Sequence, residues 1–468
     1  MLRFLSVTCL LGCVALQNAV AAQGLPSLGA ESIAPAASLA SSHANGPSVD
    51  MWQLFQEAEI EDPRVQAARV RSEGGDWRKR ESLGQLLPQL NAASAFNRTL
   101  QKTVKNRDDY YNGERYSLSL SQVLYDPEIW HSYKRYSELA KQQNAEYAVT
   151  QEEATIDLIE RYFVALAADD EFELVSAELR ATERNLERVN SLYARQLSLI
   201  TDVLEVSARV DTLKATQIDA RNAVEISREA LSELVGRGLT ERLKRIDPHA
   251  QFSLPEHDRE YWVEQAEQTS PVLQARRSAV EAAQQGLKQA KGGHMPKLSV
   301  SLNGQRSDIG FENSASPRID TYVASFGVQV PIYSGGSTNA RVYAGHTELM
   351  AAEYELEQAR RQVIRETRSA FYAVEAGVSK VSASSKALAS SAKAHEAAEQ
   401  AFGFGVINAV DVLNTIKEEY AARRQLLQSQ YDFIMSSLVL RRWSGTLVRD
   451  DVRKVNEWLV DVEPTQHR

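Results

Sequence analysis

Apolar residues recur along this chain with two different periods, and the change of period marks where its elements begin and end. Leu298, Val300 and Leu302 alternate with Lys297, Ser299, Ser301 and Asn303. Further on, Tyr322, Ala324, Phe326, Val328 and Val330 alternate with Ser325, Gly327 and Gln329. A period of two gives an extended segment one apolar and one polar face, so strands are predicted at about 296–306 and 321–333. The first half repeats the plan. Leu90, Ala92 and Phe96, then Tyr116, Leu118 and Leu120 against Ser117, Ser119 and Ser121, predict strands at about 88–100 and 114–125. Polar loops, Gln101 to Glu114 and Ser307 to Asp320, join each pair, and Tyr110, Tyr111, Tyr116, Tyr125, Phe311, Tyr322 and Tyr333 gather near the strand ends.

Around the strands the period is close to 3.6. Asp62-Pro63 and Ser270-Pro271 each set an N-cap residue before a first-turn proline and open a helix of about 25 residues. Leu87-Pro88 and Met295-Pro296 close these helices, because a residue before proline is pushed out of the α region. Asp126-Pro127 then opens a stretch with neither glycine nor proline from Glu128 through Val235. A turn is predicted at Gln196 to Thr201. It leaves a first arm of about 70 residues, about 100 Å long at the helical rise, and a second arm starting at Thr201 or Asp202. The second arm places Val203, Val206, Val210, Leu213, Gln217, Ala220, Val224, Ser227, Leu231 and Leu234 at alternating spacings of three and four. That is a coiled-coil seam, and its small and polar members suit loose or tubular packing. In the second half the arms run from about Ser337 to Ala401 and from Val410 to Trp443, with a break at Phe402-Gly-Phe-Gly405.

The two halves are copies of one unit of about 175 residues. Tyr193 answers Phe402, Asp202-Val203-Leu204 answers Asp411-Val412-Leu413, and Gly236 answers Gly445, every pair 209 positions apart. Upstream, Pro63 and Pro271, Pro88 and Pro296, and Tyr125 and Tyr333 are 208 apart. The predicted organisation is a first repeat over 51–236, a connecting segment over 237–262 packed around the waist of the helices, a second repeat over 263–445, and a charged tail over 446–468.

Charge and cysteine narrow the compartment. A formal net charge of −9, with no lysine or arginine cluster, argues against a nucleic-acid partner. Both cysteines, Cys9 and Cys13, lie within a basic start, an apolar run from Phe4 to Leu16 and a small-residue stretch, Ala19-Val-Ala-Ala22, which together predict a secretory signal over 1–22. A flexible segment rich in Ala, Ser, Gly and Pro follows over 23–50. Without the signal no cysteine is left, which removes disulfides, thiol catalysis and thiolate metal sites. A competing reading takes Leu10-Leu-Gly-Cys13 as a lipoprotein signal with Cys13 as the lipidation site. No later run of 18 apolar residues could serve as a membrane-spanning helix.

The chemistry-bearing motifs are weak. His395-Glu-Ala-Ala-Glu399 lacks the second histidine of a zinc protease helix and reads as a solvated helix face. Gly403-x-Gly405 lacks the third glycine of a dinucleotide loop and reads as a helix break, and Asn97-Arg-Thr99 lies within a predicted strand. Arg441-Arg442-Trp443 reads as a helix end near the waist. No G-x-S-x-G, P-loop or paired metal-ligand set is present, so no enzyme, cofactor or metal is expected.

Strands of about ten to thirteen residues suit a tilted bilayer crossing. Four strands cannot close on themselves, and an open edge in lipid leaves backbone groups unpaired at several kcal/mol each. The expected fold class is therefore an α+β membrane protein whose barrel is shared between chains and continued by long coiled-coil helices; if three copies contribute four strands each, a twelve-stranded barrel results. The alternative is a non-channel periplasmic coiled-coil protein with a structural or adhesive role, and the alternating strands and charged loops count against it.

At this point the residues resemble the TolC family of bacterial outer-membrane efflux proteins, over nearly the whole stretch from Met51 to Gly445. The most specific pieces are Val330-Pro-Ile-Tyr-Ser-Gly-Gly336 followed by Asn339-Ala-Arg-Val342, the strand start Leu87-Pro-Gln-Leu90, the turn Ile200-Thr-Asp-Val203, and Ala409-Val-Asp-Val-Leu413. The resemblance implies a homotrimer in the outer membrane of a Gram-negative bacterium, with a helical tunnel in the periplasm. It also implies partners, a periplasmic adaptor and an inner-membrane ABC or RND pump, and an exported cargo of protein or small molecules. The role implied is a passive exit duct, with a tilt toward type I protein secretion that drug efflux shares.

The same resemblance implies a gate at the periplasmic end, where aspartates line a constriction. Its first aspartate matches Asp411, while the second falls on Asn414; the Thr-Asp of the other hairpin matches Thr201 and Asp202, with Glu205 three positions later. A position that is usually tyrosine is Phe402, and an arginine that ties the hairpins falls on Ile407, so the hydrogen-bonded lock departs from the family pattern. Asp202 and Asp411 in three copies would set six carboxylates around one axis, which favours cations and repels anions and makes closure sensitive to pH and to multivalent cations. Each aspartate also suits a simpler part, capping the start of its helix.

Overall fold

A computed structural model describes residues 48–102, 108–247, 250–309 and 318–461. The predicted signal, Cys13 and nearly all of the flexible segment lie outside the described residues, as does Phe311. A short strand β1 (Ser48–Val49) leads into α1 (Met51–Glu61) and α2 (Pro63–Gly84), then β2 (Gln89–Lys102) and β3 (Asp108–Tyr125), then the long arms α3 (Pro127–Ala194) and α4 (Ile200–Val235). The second half follows the same order. After β4 (Arg242–Leu243) and β5 (Arg245–Ile246) come α5 (Arg259–Thr269), α6 (Pro271–Gly292), β6 (Lys297–Ile309), β7 (Ile319–Gln329), α7 (Ser337–Gly403) and α8 (Ala409–Trp443). The chain ends with α9 (Arg449–Glu457) and β8 (Leu459–Val460).

The caps act where the prolines pointed. Asp62 Oδ1 accepts from Arg64 N at 2.8 Å, and Asp126 Oδ1 from Glu128 N at 2.9 Å and Ile129 N at 3.3 Å, satisfying first-turn donors that have no helical partner. Ser270 makes no side-chain cap bond. From Asp126 the uninterrupted α3 runs 68 residues, about 100 Å.

The four longer strands form one antiparallel sheet in the order β2-β3-β6-β7. Its register puts Leu90, Leu120, Leu302 and Ala324 in one row, and Ala93, Ser117, Gln305 and Thr321 in another on the opposite face. Phe96, Leu118, Phe326 and Val328 are exposed on the apolar face, and both β2 and β7 are sheet edges with one side unpaired among the described residues. Toward the loop end, Phe96 and Tyr116 meet edge to face at 5.8 Å, and Arg306 binds both carboxylate oxygens of Asp320 at 2.7 and 2.8 Å. Two expectations shift here. The hairpin pairs on to Lys102 and Asp108, so β3 reaches 18 residues and the first predicted loop shrinks, because Tyr110 and Tyr111 continue the ladder opposite Leu100 and Thr99. β7 instead stops at Gln329, ahead of Pro331, whose missing N–H cannot join a ladder.

At the waist the apolar seam of α4 meets α3, α8 and the short elements. Eight of its ten members, from Val206 to Leu234, are buried; Val203 and Gln217 are half-buried. Ile159, Leu166, Leu231, Val374, Ile434 and Leu438 belong to one core to which α1 and α9 add Leu54 and Val452. Around it β1 pairs in parallel with β4, and β5 pairs with β8. The segment 23–50 was expected to be flexible throughout, yet its last residues Ser48 and Val49 are strand, because Leu243 offers a backbone partner beside a buried side chain. The connecting segment and tail are likewise built of short elements, and α5 begins inside the former at Arg259.

Candidate functional site

At the end of the arms away from the sheet, two turns face solvent, Arg195 to Leu199 and Phe404 to Asn408. They are equivalent positions of the two copies. Leu197 N bonds Leu192 O at 2.9 Å and Val406 N bonds Ala401 O at 3.0 Å, the six-to-one closure of a helix end. The left-handed position this closure needs is Gly405 (φ 74°) in one copy and Gln196 (φ 63°) in the other. A side chain there costs about 1–2 kcal/mol that glycine avoids.

The two tips are packed together by a small apolar cluster of Val189, Val206, Ala409 and Leu413, joined by Leu186, Val203 and Phe402. Phe402, half-buried, lies under the Arg188 guanidinium at 5.7 Å, and Asn185 Nδ2 donates to Ala409 O at 3.3 Å, crossing from α3 to α8. Asp202 and Asp411 sit on the two helices that enter this cluster, each at the third helical position. Asp202 accepts from Ser198 Oγ at 3.0 Å and Leu199 N at 3.4 Å. Asp411 accepts from Asn408 N at 3.3 Å, while its own N–H donates to Asn408 Oδ1 at 2.8 Å. Both therefore cap their helices, and the second is a reciprocal capping box. Thr201, Glu205 and Asn414 are exposed; Ile407, half-buried, supplies no polar tie.

Charged groups that the sequence did not single out join the helices higher up. Glu178 of α3 binds Arg209 of α4 and, at 3.0 Å, Arg424 of α8. His395, expected on a solvated face, is instead mostly buried between α7 and α8, where its Nδ1 lies 2.5 Å from Glu419 Oε2; Arg423 Nε bonds the other Glu419 oxygen at 3.0 Å. Burial alone would raise Glu419, but these two partners outweigh it and hold the carboxyl below the usual range. Only Glu419 and Arg423, four apart on one helix, could have been paired from sequence. Among the described residues no group of side chains could hold a metal ion, and no helix is long and apolar enough to cross a membrane.

A family model described as outer membrane efflux protein matches residues 54–237 and 262–446. The chain is 28% identical over 413 residues to outer membrane protein TolC of Vibrio cholerae, covering 88% of this chain and 94% of that protein. It is 26% identical over 420 residues to the alkaline protease secretion protein AprF of Pseudomonas aeruginosa, covering 87% and 86%. Among solved structures, the CmeC outer membrane channel of Campylobacter jejuni superposes with a TM-score of 0.76 at 13% identity, over 87% of this chain and 89% of that one.

Proposed function

Because the chain belongs to the outer membrane efflux protein family, we propose that three copies of it form one continuous duct from periplasm to exterior, passive in itself and opened by a periplasmic adaptor and an inner-membrane pump of ABC or RND type. Its place is the outer membrane, and its class is an efflux or secretion channel. The observation that carries the finer reading is a four-stranded sheet with two open edges and one exposed apolar face, mounted on helices about 100 Å long. Three such sheets would pair edge to edge and leave no backbone donor facing lipid. The helices then extend well past a hydrocarbon layer of about 30 Å, as a periplasmic tunnel requires.

The likeness to a protease secretion protein supports protein export through a type I machine, and drug efflux is the second cargo class. In this reading Thr201, Asp202, Glu205, Phe402, Asp411 and Asn414 line or brace the periplasmic gate. A ring of Asp202 and Asp411 carboxylates favours cations. The test is single-channel conductance of the full chain in planar bilayers, for wild type and Asp411→Asn, with a trivalent lanthanide added. Wild type is expected to form cation-selective pores blocked by the lanthanide at a concentration roughly tenfold or more below that needed for Asp411→Asn. Equal block in both removes the acidic ring.

A further inference from the structure

Between the waist and the tips, the two hairpins of one chain lie side by side, and a buried carboxylate divides its two oxygens between them. Glu178 is 1% exposed. Its Oε1 accepts from Arg209 on α4, in its own hairpin, and its Oε2 accepts from Arg424 Nη2 on α8, in the other. Arg424 has a second partner. Its Nε lies 2.8 and 2.7 Å from the two carboxylate oxygens of Glu171, seven residues before Glu178 and so about 10 Å along the same side of α3. A cavity of about 470 Å3 opens beside Arg424, bounded by Asp170, Glu171, Gln428 and Tyr431 but not by Glu178. The guanidinium therefore has room to move on the Glu171 side.

We infer that Glu178 is the positioning residue that holds the α7/α8 hairpin against the α3/α4 hairpin in the closed gate, and that Glu171, about 10 Å nearer the waist on the same helix, keeps Arg424 paired when the hairpins part at the tip. This deepens the channel reading and rests on it. Glu178 lies sixteen residues before the end of α3, about 24 Å from the tip, so a small change of angle there is a large change at the turns. The tip itself is held mainly by its apolar cluster. Its cross-hairpin polar tie is the Asn185 bond to Ala409 O, and Ile407 adds none. Without Arg424 one oxygen of a buried carboxylate is left without its partner while Arg209 keeps the other, so the paired and parted arrangements are favoured over anything between. Arg424 can release Glu178 without becoming unpaired because Glu171 already holds it.

The experiment compares the open fraction of full-length wild type, E178Q, R424Q, E171Q and the E178Q/R424Q double variant in planar bilayers, alongside their melting temperatures. E178Q and R424Q are expected to raise the open fraction on the order of tenfold, the worth of one charge-assisted bond. The double variant should raise the open fraction by less than the two single changes combined, since both remove the shared Glu178–Arg424 contact, and E171Q should not raise the open fraction. If E178Q does not fold, R424Q decides, because it leaves the Glu178–Arg209 pair intact. Folded E178Q or R424Q with the wild-type open fraction overturns the inference while leaving the channel reading in place. A wild type that forms no pore defeats the channel reading itself.

Discussion

Gly445→Ala is expected to destabilise the folded chain by about 2–5 kcal/mol, whereas Gly236→Ala, the same substitution at the equivalent position of the other copy, costs about 1–2 kcal/mol. Both glycines end a long arm in the left-handed region, at φ 66° and 75°. An alanine pays that backbone strain at either site. The difference lies in what the added carbon meets. At Gly445 it would come within 2.7 Å of the Thr269 carbonyl carbon and oxygen and 2.8 Å of Ser270 Cα, all backbone that cannot step aside, while at Gly236 the nearest atom is Glu61 Cβ at 3.5 Å. The end of α8 is pressed onto the junction of α5 and α6, where Thr269 Oγ1 also donates to Ser444 O at 2.7 Å. Thermal unfolding of the two variants checks this, and equal losses would mean that the backbone at Gly445 has freedom the packing denies it.

The second large effect is a pH dependence centred on Asp170. This residue is 7% exposed in the core of the waist, where its carboxylate accepts from the Tyr431 hydroxyl and lies 3.3 Å from Arg245 Nε. Burial outweighs these partners and pushes the carboxyl from 3.8 up to about 6. The folded chain therefore holds this proton more tightly than the unfolded chain. The stabilisation is complete below pH 3.8 and is lost as the pH rises from there to about 6, leaving a deficit of at most ~3 kcal/mol above that. Asp170→Asn keeps an acceptor for Tyr431 but has no proton to lose. Its melting temperature relative to wild type should rise between pH 4.5 and 7.5, by the equivalent of roughly 2 kcal/mol. A flat difference would show that Arg245 and Tyr431 keep Asp170 ionised throughout.

Much of the architecture was legible because it is written in local chemistry. Asp62-Pro63 and Asp126-Pro127 mark helix starts, the alternation from Leu298 to Leu302 marks a strand, and the seam from Val203 to Leu234 is buried largely as its spacing requires. The 209-residue spacing also placed both tip turns, with Gln196 standing where its copy has Gly405. Elements of two residues were not legible. β1, β4, β5 and β8 are too short to show a period, and they form because the waist core brings them together. The charge ties escaped for a related reason. Glu178, Arg209 and Arg424 look like ordinary solvated helix charges, and only the pairing of α3 with α8, 246 positions apart at Glu178 and Arg424, buries the carboxylate between them. His395 was misread on the same ground, since its partner Glu419 lies on the neighbouring helix. At the tips the sequence located Asp202 and Asp411 on the right helices, but their caps involve Ser198, Leu199 and Asn408, which only the turn geometry reveals.

A duct requires β2 of one chain to meet β7 of another. The most direct measurement is the mass of the particle formed by the full chain when extracted from membranes in mild detergent. Three chains per particle, inseparable without denaturation and insoluble once detergent is removed, is the expected result. A single chain that stays dissolved in plain buffer would contradict it, since a sheet with two open edges and one apolar face would then have no partner and no lipid to cover it.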